Sequence, residues 1–364
     1  MVNESLSCEL MLTSECNMRC TYCIARNIEN ATMSTQIGQK AVDLFVSMST
    51  GAKYIEFIFT GGEPTLEFDT LKYLAKYAEK ISKVAEIEVI FVLKTNGILI
   101  NEDVITFLRE NNFRVVISID GDSSVHDKFR KQTNKEETYY IITKNIKKML
   151  DVGIPCTASY SIHPNHTFSI AENVKYLYDL GIKNIDIGPL YGTVEWNSES
   201  ISNLINSLEN VANFIQSVRR RGDYIEVVPL NKESEHVGGI LADCWGCGAG
   251  LTKLAFLPNG KISGCSSLAM VAHKFPNLII GDVDSGLNEI ALENLQQQCQ
   301  ADIKDRNLCQ NCETASNCSG GCCAINYAVN GAPFAAPPFY CKTIHSISRL
   351  WDIAWNFEIV DNLI

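Results

Sequence analysis

Cys16, Cys20 and Cys23 stand at x3 and x2 spacing in the stretch Cys16-Asn-Met-Arg-Cys20-Thr-Tyr-Cys23. Three thiolates on one short loop can hold three corners of a cubane [4Fe–4S] cluster, because thiolate is the soft ligand that iron–sulfur centres prefer. The fourth iron then has no protein ligand, and a small chelating molecule can take the open corner. Two plainer accounts compete: three buried thiols, or part of a zinc knuckle. A structural zinc wants four ligands, and no histidine or fourth cysteine lies near enough in sequence to complete it.

A second cysteine set occupies the last third of the chain. Cys309-x2-Cys312-x5-Cys318-x3-Cys322 is followed by Cys341 after an aromatic and proline-rich loop. Upstream, Cys247 and Cys265 flank a stretch that reads as a hairpin, with strands at 254–257 and 261–265 around Pro258-Asn259-Gly260, and Cys244 lies three residues before Cys247. These eight cysteines divide into two four-ligand sites, and spacing alone leaves zinc and iron–sulfur both open. Of the fifteen cysteines, Cys8, Cys156, Cys299 and Cys323 remain, most simply as small buried hydrophobes.

The elements that must position these residues follow a regular alternation. Short runs rich in β-branched and aromatic residues at 8–13, 54–59, 88–93, 114–119, 155–161 and 184–187 read as strands. Amphipathic stretches at 39–48, 71–84, 102–109, 141–150 and 170–180 read as helices between them. Such a pattern predicts an α/β domain of parallel strands, doubly wound or a barrel, with its site at the carboxyl ends of the strands. The unusual residues fall there. Strand one runs into the cysteine loop and strand two into Thr60-Gly61-Gly62-Glu63-Pro64. Strands three and four end at Lys94-Thr95-Asn96-Gly97 and Ser118-Ile119-Asp120-Gly121, and strand six at Gly188-Pro189-Leu190. The Gly-Gly turn is expected to let a ligand approach the backbone, with Glu63 as anchor for a cationic group. Each turn taken singly is ordinary; their convergence on the cysteine face is not. A helix at 199–221 and a strand at 223–230 follow, and little helix is expected after Cys244 until 346–357.

Bulk properties narrow the function. A net charge of -11 leaves no basic stripe for nucleic acid. Neither a signal peptide nor a membrane-length apolar run is visible, so a cytoplasmic protein is expected, where clustered cysteines point to metal rather than disulfides.

Both cysteine patterns together resemble those of radical S-adenosylmethionine enzymes with a C-terminal SPASM domain. The CxxxCxxC of that family matches Cys16, Cys20 and Cys23, its GGEP matches Gly61–Pro64, and the SPASM pattern runs from Cys247 to Cys341. The resemblance implies a partial (β/α)6 barrel over 1–195, a bridging helix and strand over 196–240, and a cysteine-rich SPASM domain over 241–364, with a β-hairpin and a C-terminal helix. It implies three [4Fe–4S] clusters, one of them binding S-adenosylmethionine. Gly61, Gly62 and Glu63 would hold the methionine amino group, Ser118 and Asp120 would lie near the ribose, Arg130 would meet the carboxylate, and Tyr22 and Leu190 would flank the adenine. An outer auxiliary cluster would use Cys309, Cys312, Cys318 and Cys341. An inner one would use Cys247, Cys265 and Cys322, with Cys244 as its fourth ligand.

Members of this family cleave the cofactor reductively, with electrons from a flavodoxin or ferredoxin, to a 5′-deoxyadenosyl radical that takes a hydrogen atom from substrate. The stretch from Cys318 to Tyr327 looks more like maturases that cross-link ribosomally made precursor peptides through thioether or C–C bonds. The alternative branch, anaerobic sulfatase maturases, makes formylglycine from Cys or Ser. It carries Gln where this chain has Thr60, and an Asp base where this chain has Ser266. Fifteen residues precede the cysteine loop, so leader recognition is expected to be absent, supplied by a separate leader-binding protein, or done by the barrel and SPASM surfaces. Asp122, Tyr191, Glu195 and His163 are polar residues near strand ends, none singled out as the general base. A non-catalytic electron-transfer protein is the reading from another class.

Overall fold

A computed structural model describes residues 5–230, 248–299, 309–318 and 320–355. Six strands run parallel in sequence order: β1 (Ser5–Thr13), β2 (Tyr54–Gly61), β3 (Glu88–Thr95), β4 (Arg114–Ser118), β5 (Cys156–Ile162) and β6 (Asn184–Pro189). Helices α1 (Thr35–Met48), α2 (Phe68–Val84), α3 (Glu102–Glu110), α4 (Ser123–Phe129), α5 (Tyr139–Asp151) and α6 (Ile170–Asp179) make the crossovers, and α7 (Ser198–Arg220) leads to β7 (Glu226–Val228), parallel to β6. Every predicted strand and helix of this half is present; α4 is an addition. It has seven residues, too few for a periodic signal, and is started by Asp122, whose carboxylate accepts from the Ser124 and Val125 amides.

Alternation along the strands sorts the side chains into two faces. Leu10 and Leu12, Phe57 and Phe59, Val115 and Ile117, and Ile185 and Ile187 join one continuous core with α1, α2, α5 and α6. Their strand neighbours are polar on the other face: Thr60, Lys94, Ser118, Ser159 and Ser161 line a cavity. The sheet is thus a partial barrel with an oily outside under helices and a polar inside. Between its end strands β7 and β11 no pairing closes it among the described residues.

The C-terminal part continues the same sheet. β8 (Lys253–Phe256) lies parallel to β1, with Cys8 opposite Leu254, and forms the expected hairpin with β9 (Lys261–Ser263). β10 (Ile279–Asp282) and β11 (Gly286–Leu287) extend it. Expectation fails on helix content here: α8 (Ser266–Val271), α9 (Glu289–Cys299), α10 (Ala315–Cys318) and α11 (Cys323–Asn330) precede α12 (Pro338–Trp355). Three of these, α8, α10 and α11, are four to eight residues long and lie beside Cys265, Cys318 and Cys322, too short to leave a repeat to read. Among the described residues no helix is long and apolar enough to cross a membrane.

Candidate functional site

The cysteine loop leaves β1 and is gripped from both sides by backbone. On one side the amides of Gly62 and Glu63 donate to Thr13 O and Glu15 O at 2.7 and 2.8 Å; on the other, Arg19 N and Thr21 N donate to Lys131 O and Phe129 O at 2.8 and 2.9 Å. Arg19 Nη1 reaches Cys16 O at 2.7 Å, and the Arg26 guanidinium donates to Cys20 O. The Gly-Gly turn is what permits the first contact. A Cβ on Gly61, whose φ is +136°, would lie 2.3 Å from Thr13 O, and one on Gly62 would lie 2.1 Å from Glu15 O. These glycines therefore serve an approach of two backbones, and they also line the cavity that the expected ligand would enter.

Glu63 also departs from expectation. It is fully buried, caps the 3-10 turn Pro64–Glu67, and its carboxylate accepts from Thr65 N, Thr65 Oγ1, Thr95 Oγ1 and Asn96 N between 2.7 and 3.1 Å. It ties the second turn to the end of β3 and does not line the cavity, and burial nevertheless pushes its pKa up. Asn96 in turn donates to Asn17 Oδ1 at 2.8 Å and approaches Cys16 Sγ at 3.8 Å.

A cavity of about 900 Å³ opens at the strand ends. Cys16, Cys20, Cys23, Tyr22, Gly61, Gly62, Ser118, Arg130 and Leu190 all line it, joined by Lys94, Ser159, Ser161, Tyr191 and Met270. Asp120 sits behind this wall. Arg130 Nε and Nη2 grip its two oxygens at 2.7 and 3.0 Å, the Tyr22 hydroxyl donates to it, and so does Ser161 N at 3.0 Å. Burial alone would raise the Asp120 pKa; Arg130, Tyr22 and His126 outweigh it and hold it low. The pair is buried on both sides, so Asp120 positions Arg130 and Tyr22 and does not itself face the cavity. Tyr22 packs with Val125 and Phe129 in a small cluster that Leu190 joins.

Sequence reasoning missed the layer behind these residues. His126 is fully buried; its Nδ1 accepts from Asp120 N at 3.3 Å, and its Nε2 lies 2.9 Å from Thr138 Oγ1, which donates to Arg130 O. Asn145 and Asn173 hold the Asn-Gly and Asp-Gly turns, by donating to Gly97 O at 2.8 Å and accepting from Asp122 N at 3.1 Å. A lone His or Asn on a helix gives no sequence signal of such a role. Of the polar residues named as base candidates, only Tyr191 lines the cavity; Asp122 caps α4, His163 stacks on Phe129 at 4.2 Å, and Glu195 is exposed.

In the C-terminal part Cys309, Cys312, Cys318 and Cys341 come together around a second cavity of about 440 Å³, which His345 also lines. Cys265 starts α8 and Cys322 starts α11; Cys322 packs in a cluster with Tyr191. Cys244 and Cys247 lie outside the described residues. Cys8, Cys156, Cys299 and Cys323 are buried, as expected of small hydrophobes. Burial pushes the Cys16 and Cys318 thiols up to about 11 and raises Cys20 and Cys341, which favours the protonated thiols in the metal-free chain.

Residues 10–177 match the family model of the Radical SAM superfamily. The chain carries a radical SAM domain. Over 378 aligned residues it is 24% identical to a cysteine-type anaerobic sulfatase-maturating enzyme of Clostridium perfringens, covering 95% of this chain and 97% of the relative. Its fold matches native anSMEcpe with bound AdoMet at TM-score 0.79 and 18% identity, covering 96% of this chain and 99% of that one. It also matches Streptococcus suis SuiB bound to precursor peptide SuiA at TM-score 0.66 and 16% identity, covering 93% and 76%. Radical SAM proteins are enzymes of oxidoreductase type that use a [4Fe–4S] cluster and S-adenosylmethionine. The radical SAM domain here has the donors for both: three soft thiols on one loop, a cavity beside them, and a buried guanidinium at its wall.

Proposed function

We propose that this chain is a peptide-modifying radical SAM enzyme, in which Cys16, Cys20 and Cys23 hold the open-cornered cluster and S-adenosylmethionine enters the large cavity. When bound, these groups supply an electron from an external flavodoxin- or ferredoxin-type donor and a 5′-deoxyadenosyl radical. The chain's own residues bind, orient and shield. Arg130, kept charged by Asp120, meets the methionine carboxylate. Ser118 and the adjoining serines offer hydroxyls toward the ribose, and the Tyr22 and Leu190 side chains give the adenine an apolar wall. The Gly61 and Gly62 backbone receives the methionine amino group, with Glu63 fixing the turn from behind.

Substrate is proposed to be a residue of a ribosomally made peptide, which would give one hydrogen atom to the deoxyadenosyl radical and then, as a thioether or C–C cross-link forms, release a proton and pass one electron to an auxiliary cluster. One observation carries this reading: the cysteine loop, the second turn and Arg130 face one cavity, whose far wall includes Tyr191 and Met270 beside the C-terminal cysteines. Three clusters are part of the proposal, the two auxiliary ones on Cys309, Cys312, Cys318 and Cys341, and on Cys247, Cys265 and Cys322 with Cys244. Sulfatase maturation is the second reading, favoured by the near full-length match to the C. perfringens enzyme. Against it stand Thr60 on the cavity wall and Ser266, whose amide donates at 2.6 Å to the buried Glu9 carboxylate and brings no carboxylate of its own.

Anaerobic incubation with reductant and S-adenosylmethionine tests the assignment. Wild type should release 5′-deoxyadenosine and Cys16→Ala should not; equal release from both would refute it. A Cys/Ser-x-Pro/Ala-x-Arg peptide that becomes reactive toward an aldehyde probe would establish the sulfatase reading. A precursor peptide that loses two hydrogens and stays unreactive would establish cross-linking.

A further inference from the structure

We infer that His345 is a positioning residue for the outer cysteine site: its imidazole N–H donates to Cys312 Sγ and sets the reduction potential of what that sulfur holds. This rests on the proposal that Cys309, Cys312, Cys318 and Cys341 hold an iron–sulfur cluster. His345 Nε2 lies 3.3 Å from Cys312 Sγ, and Thr314 Oγ1 lies 3.3 Å from the same sulfur. On α12, His345 follows Cys341 by four residues, one helical turn, so both side chains face the same cavity. Four thiols already satisfy the four irons of a cubane. The imidazole is therefore surplus as a ligand and well placed as a donor. Reduction adds negative charge to the cluster and its sulfurs, and a donor aimed at one sulfur stabilises that reduced form. The remaining lining is mixed, with Phe334, Ala315 and Ala336 apolar and Asn311 and Glu313 polar, and the bond itself is half-buried.

The test uses the full chain, reconstituted anaerobically, in a Cys16→Ala/Cys20→Ala/Cys23→Ala background that removes the amino-terminal cluster. Iron content and an electron paramagnetic resonance redox titration are read for the parent, His345→Leu and His345→Gln. The outer signal is identified as the one lost in Cys309→Ser/Cys318→Ser. His345→Leu should keep its iron, and the reduced-to-oxidised ratio of the outer signal at a fixed poise should fall about tenfold, equal to 59 mV for a one-electron couple. His345→Gln, which retains an N–H of similar reach, should recover part of that shift. Full iron with an unmoved potential in His345→Leu overturns the inference. Loss of iron in both variants overturns it too, by making His345 a ligand. If Cys309→Ser/Cys318→Ser loses no iron, the cluster proposal itself fails, and it does so by a different readout.

Discussion

At and behind the cavity wall, Asp120, Arg130 and His126 form a buried assembly whose integrity depends on protonation. Burial lowers the His126 pKa to about 4; Arg130 adds to that, while Asp120 and Asp127 oppose it. The folded state therefore holds His126 neutral, with Nδ1 accepting from Asp120 N. Unfolded chains take up this proton near pH 6.5. The stabilisation is whole above pH 6.5 and is lost as pH falls from there to about 4, on the order of 3 kcal/mol in all. Chemical denaturation across this range should show stability falling more steeply as pH is lowered in wild type than in His126→Gln, by the slope of one proton. Parallel curves would show that His126 does not titrate on unfolding. The motif residues were legible in sequence because their spacing is local. His126, Thr138, Asn145 and Asn173 were not, since each acts on a residue brought to it by the fold.

At the scale of elements, the strands were readable from apolar runs and their polar ends, and the turns from their glycines. What the turns do was read only in part. Gly61 and Gly62 line the cavity, and they also clear space for the backbone of residues 13–15, which the sequence pattern does not announce. Sequence pattern shows that a close approach exists and not what approaches. Gly62→Ala should therefore act on the cysteine loop: its methyl would displace Glu15 O and, with it, the hydrogen bond from Glu63 N. The expected result is a fold retained by far-ultraviolet circular dichroism, with the amino-terminal iron reduced several-fold and the C-terminal iron kept. Equal loss from all sites, or from none, would contradict this. The short helices after Cys265 escaped notice because six to eight residues carry barely two turns of periodicity.

The whole molecule is tied together at β1. That strand pairs with β2 on one side and with β8 on the other, so the C-terminal hairpin completes hydrogen bonding that the barrel half leaves open. Side chains follow the same logic. Phe256 of β8 packs edge-on against Phe45 of α1 at 6.2 Å. Glu9, buried inside β1, is held ionised, its pKa brought to about 2, because Lys94, Lys253 and the Ser266 amide outweigh its burial. Two of those three partners come from beyond residue 250. A fragment ending at residue 230 would thus expose the edge of β1, uncover the apolar face of α1, and leave Glu9 with Lys94 alone. We expect it to aggregate or to elute as large oligomers in size-exclusion chromatography, while the full chain stays monodisperse. Glu9→Gln in the fragment should improve its recovery by removing the buried charge, though not restore monodispersity, since the open strand edge remains. A monodisperse fragment that binds its four irons would instead make the amino-terminal half a unit that folds alone.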